Sequence, residues 1–225
     1  MFELRENAYD RAIRRVEELL SEMGEQVGRL PGQAVAAARI LDRRAAKAVE
    51  DADDWVDDRD YAIEAAVLEI ISLQQPRGED LRSLAAVLRM SRDLERVADY
   101  AVDVARAVPA LAAAGGSVLP EELERMADQV ARMLLEDMAA FRARDVARAG
   151  EVPRLDDAVD QEFRRLRRRL IAEMGADPTA VEAASTHLLM GQYLERSGDH
   201  AVNVAEMVVY RETGRQRPFR RPGTP

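Results

Sequence analysis

Eight carboxylates stand out by their spacing. Asp53 and Asp57, Glu95 and Asp99, Asp156 and Asp160, and Glu195 and Asp199 form four pairs, each with its members four residues apart. On an α-helix such residues lie about one turn apart on one face, so each pair presents two carboxylates to the same neighbour. With about 100° per residue, Glu95 lies roughly 20° from the centre of an apolar stripe made by Leu84, Val87, Leu88, Ala98, Val102 and Ala105, and Asp99 at its edge. Glu195 and Asp199 fall within about 20° of the stripe of Val181, Ala184, Leu188, Val202 and Val209. These acids are expected to face the core. Asp53 lies on the stripe of Val49, Ala52, Val56, Ile63, Val67 and Ile70, with Asp57 one turn on.

An ionised carboxylate in a low-dielectric interior is normally protonated, paired or bound to a cation. Two partners are on offer. Acid pairs on antiparallel neighbouring helices would converge as four carboxylates, whose repulsion demands a cation. Oxygen-only donors suit Mg²⁺, Mn²⁺, Ca²⁺ or iron, and a bridged cluster of ions balances four charges better than one. Alternatively Arg92, Arg96 and Arg196 pair with the acids, and the protein is purely structural.

The positioning elements are helices. Gly, Pro and Asp interrupt an almost continuous helical periodicity at few places, predicting six long helices near 5–40 (kinked or broken at Pro31), 43–74, 79–112, 120–143, 146–174 and 178–212. The pattern repeats. Asp42 and Asp145 are 103 residues apart, as are Asp53/Asp57 and Asp156/Asp160, while Glu95/Asp99 and Glu195/Asp199 are 100 apart. So long a period indicates a doubled domain rather than a solenoid. The expected fold is all-α: two tandem antiparallel three-helix bundles related by internal duplication, over 1–114 and 115–213, with a seam at Gly115-Gly116 and a loose basic tail over 214–225.

Composition narrows the function. A net charge of -9 disfavours a direct nucleic-acid surface, and the lack of cysteine excludes disulfides and thiolate metal sites. The amino terminus lacks the apolar stretch of a signal peptide and no window spans a bilayer, so a cytoplasmic location is expected, with membrane association only through a partner. A di-metal carboxylate enzyme would carry Glu-x-x-His, but Gly198 follows Glu195 by three, and Ala184 and Ser197 precede His187 and His200 by three. No nucleophilic triad or phosphate-cradling loop is present, so no enzyme is expected. His200, beside Asp199, reads as a surface or capping residue with a role at the acids as the lesser alternative, the run Arg164–Arg169 as a solvated face with docking to an acidic partner or membrane surface as the lesser alternative, and Trp55 as packing.

Asp53-Asp54-Trp55-Val56-Asp57 with Leu94-Glu95-Arg96-Val97-Ala98-Asp99, and Asp156-Asp157-Ala158-Val159-Asp160 with Leu194-Glu195-Arg196-Ser197-Gly198-Asp199, resemble the paired signatures of the PhoU family of phosphate-uptake regulators. The stretch His200-Ala201-Val202-Asn203-Val204-Ala205-Glu206 is similar to that family's second signature, and Leu73-Gln74-Gln75-Pro76 before Asp80-Leu81-Arg82 to its interhelix corner. The resemblance covers nearly the whole chain. It implies a non-enzymatic negative regulator that contacts the phosphate transporter ATPase subunit, a sensor histidine kinase, or both. It also implies metal ions (iron, manganese, zinc or magnesium) on the eight acids. Apolar strips left exposed on long bundles point to a homodimer. A scaffold of ion-paired acids stays open as the alternative. The halves differ where Tyr100, Asp103 and Arg106 meet His200, Asn203 and Glu206, so their metal occupancy is expected to differ.

Overall fold

The structure is a computed structural model describing residues 8–115 and 118–215. Among these residues there are helices and no strands. The first half holds α1 (Ala8–Val27), α2 (Leu30–Arg39), α3 (Arg43–Gln74), α4 (Glu79–Ala105) and α5 (Val108–Ala113). The second holds α6 (Glu121–Ala143), α7 (Val146–Ala149), α8 (Val152–Ala176) and α9 (Val181–Thr213), with one 3-10 turn at Pro178–Ala180 before α9. Six of these helices are long, and the short ones arise where a long helix is interrupted. Gly116 of the expected seam, and the basic tail from residue 216 on, lie outside the described residues.

The interruptions follow the prolines. Pro31, Pro109 and Pro153 each sit in the first turn of the helix that follows a break, where a missing backbone N–H costs nothing. The break before α2 therefore falls at Gly28 and Arg29 rather than at Pro31 itself. The helices expected over 79–112 and 146–174 are each divided, because continuous periodicity on both sides concealed Pro109 and Pro153.

The corners before α3 and α7 are built alike. Leu41 and Arg144 adopt φ of 54° and 54°, left-handed values that close the preceding helix, and their N–H groups donate to Ala38 O and Phe141 O. The next residue's N–H, on Asp42 and Asp145, reaches back to Ala37 O and Ala140 O, both at 2.9 Å, completing a Schellman turn. Each aspartate then caps the new helix: Asp42 accepts from Arg44 N and Ala45 N, and Asp145 from Arg148 N. Leu41 and Arg144 stand the same 103 residues apart as the two aspartates.

Both bundles share one core, and α4 against α9 is its most extensive helix pair. The two run antiparallel along their lengths: Arg82 Nε donates to Arg211 O at 2.9 Å, Asp93 meets His200, and Tyr100 stacks on Tyr193 with ring centroids 6.1 Å apart. The second and third of these contacts join equivalent positions of the two halves with their roles exchanged, a pseudo-twofold arrangement. No helix among the described residues is long and apolar enough to cross a membrane.

Candidate metal centres

In each half the acid-bearing helices are antiparallel neighbours. In the first, Arg92 Nη1 lies 3.4 Å from Asp60 Oδ2 and fixes the register of α3 against α4. Moving one turn back along α3 and one forward along α4 sets Asp57 opposite Glu95, and the next turn sets Asp53 opposite Asp99. The second half keeps this register. A Cβ added at Gly198 would stand 2.6 Å from Asp156 Oδ1, and one added at Gly191 would stand 3.2 Å from the Phe163 ring. Asp156 thus packs at the Gly198-Asp199 step, and Asp160, one turn on, lies toward Glu195. The structure brings Asp53, Asp57, Glu95 and Asp99 within electrostatic reach of one another and places Asp156 at the Gly198 step of α9.

They do not lie in the core as the stripes indicated. Glu95, Asp99, Asp53, Asp57, Asp160, Glu195 and Asp199 are half-buried along the grooves between paired helices, and only Asp156 is buried, at 6% exposure. The reason is that α4 and α9 are central. With neighbours on several sides, their buried positions spread round most of the circumference, and the centre of the apolar stripe no longer marks one inward direction.

The electrostatics of the first set are strained. Desolvation pushes the Asp53 carboxyl up to about 6, helped by Asp57, Asp99 and Asp54 and offset by Arg106. Asp57 is raised by desolvation and then by Asp99 and Asp54. Glu95 is raised by desolvation and Asp99 against the lowering influence of Arg92 and Arg96. Asp53 Oδ1 and Glu95 Oε2 are buried and accept no hydrogen bond among the described residues. Two buried acceptor oxygens without a donor among mutually repelling acids are a donor set that fits a cation.

Arginine also takes a share. Arg96 Nη1 contacts Asp99 Oδ2 at 2.6 Å, Arg92 Nη1 lies 3.7 Å from Glu95 Oε1, and Arg164 Nη2 lies 3.5 Å from Asp160 Oδ2. As the side chains stand, no group of three or more acidic or histidine residues among those described is arranged to hold one ion. Cation binding would therefore require the arginines to swing away.

A PhoU domain model matches the chain twice, over residues 20–108 and 123–208, and the two matches begin 103 residues apart, as the helix corners do. The chain belongs to the PhoU family. A phosphate-specific transport system accessory protein PhoU homolog from Clostridium acetobutylicum is 33% identical over 205 residues, covering 89% of this chain and 94% of the relative. A protein of the same description from Deinococcus radiodurans is 38% identical over 182 residues, covering 80% and 85%. The crystal structure of PhoU from Pseudomonas aeruginosa superposes with a TM-score of 0.87 at 31% identity, covering 92% of this chain and 100% of that one.

In this PhoU chain several residues beside the acids escaped the sequence reading. His200 is no simple surface residue: its Nδ1 lies 2.7 Å from Asp93 Oδ1, and Asn203 Nδ2 donates to the same oxygen at 3.1 Å. Asp93 carried no signal, being one acid in a charge-rich helix. Asp60, buried against Arg92, and the close approach at Gly191 and Gly198 depend equally on tertiary contacts. Trp55 is exposed, with the Arg59 guanidinium stacked over it at 4.6 Å, and is not core packing.

Proposed function

We propose that this protein is a non-enzymatic negative regulator of phosphate uptake and phosphate-starvation signalling, acting from the cytoplasm on the phosphate transporter ATPase subunit, a sensor histidine kinase, or both. Its curated relatives are described as accessory proteins of the phosphate-specific transport system, which supports a place in that system. A homodimer is the expected assembly, and the membrane is reached through the partner.

The observation that supports the reading is the mutual repulsion of Asp53, Asp57, Glu95 and Asp99 across α3 and α4, and the duplicated spacing extends it to Asp156, Asp160, Glu195 and Asp199. Those eight residues would hold metal ions (iron, manganese, zinc or magnesium). A bound ion would neutralise the acids and tie α3 to α4 and α8 to α9. The chain's own part is to supply the carboxylates and, in Arg92, Arg96 and Arg164, a countercharge that competes with the ion for them. The short Arg96 to Asp99 contact favours the second reading, a scaffold whose acids are simply ion-paired.

Elemental analysis decides between them. The untagged protein and a Glu95→Gln, Asp99→Asn, Glu195→Gln, Asp199→Asn variant are incubated with Fe²⁺ or Mn²⁺, desalted and quantified. One or more ions per chain in the native protein, lost in a variant that stays helical, is the expected result. Metal-free native protein after the same incubation leaves only the ion-paired scaffold. Co-purification with the transporter ATPase subunit, with and without metal, tests the partner.

A further inference from the structure

The outer faces of α3 and α8 carry opposite charge. Between residues 54 and 74 the exposed charged side chains of α3 are Asp54, Asp58, Glu64 and Glu69, all acids. The ion pairs that α3 makes among the described residues engage Lys47, Glu50, Asp51, Arg59 and Asp60 and leave those four out. With about 100° per residue, Tyr61, Ala65 and Leu68 lie within roughly 60° of one another, and Asp58 and Glu64 stand about 60° from Tyr61 on either side. Tyr61 is 66% exposed and Leu68 54%. Among the described residues α3 is therefore left with an open apolar strip edged by acids.

The α8 helix presents the reverse. Over residues 157–176 the run Arg164–Arg169 exposes five arginines, against two exposed acids, Asp157 and Glu173. Acids of this chain hold Arg164, Arg165 and Arg169, while Arg167 and Arg168 enter no ion pair among the described residues. Ile171, 52% exposed, lies about 20° from Arg164 round the helix, so this strip is apolar and basic. The offset of 103 residues that relates the halves sets Glu64 level with Arg167, Ala65 with Arg168 and Leu68 with Ile171. Equivalent helices have thus kept a large apolar residue at one position and taken opposite charge beside it. Charge placed for solubility mixes both signs on a face; here the signs are segregated onto two faces.

We infer that the outer face of α3 docks on the outer face of α8 of a second copy of this chain. Anionic lipid suits α8 and is repelled by α3, and a basic ligand suits α3 and is repelled by α8; a second copy brings each face what it lacks. In a twofold dimer the contact of α3 with α8 of the partner is repeated by α8 with α3 of the partner, so both strips of both copies are covered. Tyr61, Leu68 and Ile171 supply the apolar centre, and the acids and arginines set register and partner choice. The inference rests on the homodimer expected above and gives it a surface, and it uses none of the eight acids of the metal reading.

Sedimentation equilibrium of the full chain, in about 50 mM and about 500 mM NaCl, tests the pairing. A dimer that weakens at the higher salt is expected. Glu64→Arg and Arg167→Glu, both at exposed positions, are each expected to weaken self-association by about tenfold or more, because a twofold dimer contains the reversed charge twice. Mixed in equal amounts, the two variants are expected to recover it: the reversed α3 of one meets the reversed α8 of the other, and the remaining pair keeps its native charges. Circular dichroism checks that both stay helical. A dimer indifferent to both reversals, or two weakened variants that do not rescue each other, overturns this surface and leaves the homodimer standing. Native protein that stays monomeric up to about 100 μM overturns both. Cosedimentation of that monomer with phosphatidylglycerol vesicles, lost in Arg167→Glu, makes the α8 strip a membrane surface and also overturns the pairing. Mn²⁺ content of the same preparations reports on the metal reading separately.

Discussion

Asp53→Asn separates the metal reading from the ion-paired scaffold by the sign of a stability change. The Asp53 carboxyl is pushed from an ordinary 3.8 to about 6, first by desolvation and then by Asp57, Asp99 and Asp54. A folded value above the unfolded one means the folded state binds the extra proton, so the contribution to stability is fully present below about pH 4 and is lost as pH rises through about 6. Two pH units would correspond to about 3 kcal/mol, and solvent screening of this half-buried group reduces that to roughly 1–2 kcal/mol. Asparagine carries no charge at any pH and escapes the penalty.

In chelator at pH 8, Asp53→Asn is therefore expected to be more stable than the native protein by about 1–2 kcal/mol, or a melting temperature higher by about 3–6 °C in a chain of this size. Near pH 4 the difference vanishes. With Mn²⁺ at about a hundred times its dissociation constant the native protein gains up to about 2.7 kcal/mol by linkage, the variant gains less, and the order reverses. Urea unfolding followed by circular dichroism at both pH values, with chelator and with Mn²⁺, reads all of this. If Asp53→Asn is the less stable protein in chelator at pH 8, the carboxylate is held by arginine rather than waiting for a cation, and the reasoning fails.

Two further substitutions test the frame around the site. Arg211 is 5% exposed, paired with Glu17 and Glu212, and stacked on Phe141 at 4.3 Å; Arg211→Met leaves Glu17 without its main partner and is expected to cost about 2–4 kcal/mol in urea unfolding, part of which Glu17→Gln restores. His187, 3% exposed, is pushed down to about 4 by desolvation and by Arg169, so its contribution is present above pH 6.5 and lost as pH falls toward 4. His187→Gln is expected to flatten the acid limb of the stability curve over that window by about 2 kcal/mol, and an unchanged limb would show that another group controls it.

What could be read from sequence was local or repeated. Asp42 and Asp145 announced helix starts because a cap acts within its own turn, and the acid pairs announced a register because the same offset recurred. Pro109 and Pro153 each open a new helix, yet the apolar period runs through them and hides the break. Asp137 shows the harder limit. It is fully buried on α6, neither oxygen is hydrogen-bonded among the described residues, and desolvation holds the carboxyl well above its usual range. Nothing in its sequence surroundings distinguishes it from exposed acids. Its burial follows from where α1, α2, α8 and α9 close on α6.

The duplication preserved the acids and changed what surrounds them. Ser91 and Ala98 on α4 correspond to Gly191 and Gly198 on α9, and an added Cβ at either glycine would stand 2.5 or 2.6 Å from atoms of α8. Without those two side chains α8 settles more closely on α9, Asp156 becomes buried, and its counterpart Asp53 stays half-buried. Repulsion among acids strengthens as water is excluded, so the second set has the greater need of a permanent countercharge. The first set is wetter, and its countercharge is already at hand in Arg92 and Arg96, 3.7 Å from Glu95 and 2.6 Å from Asp99.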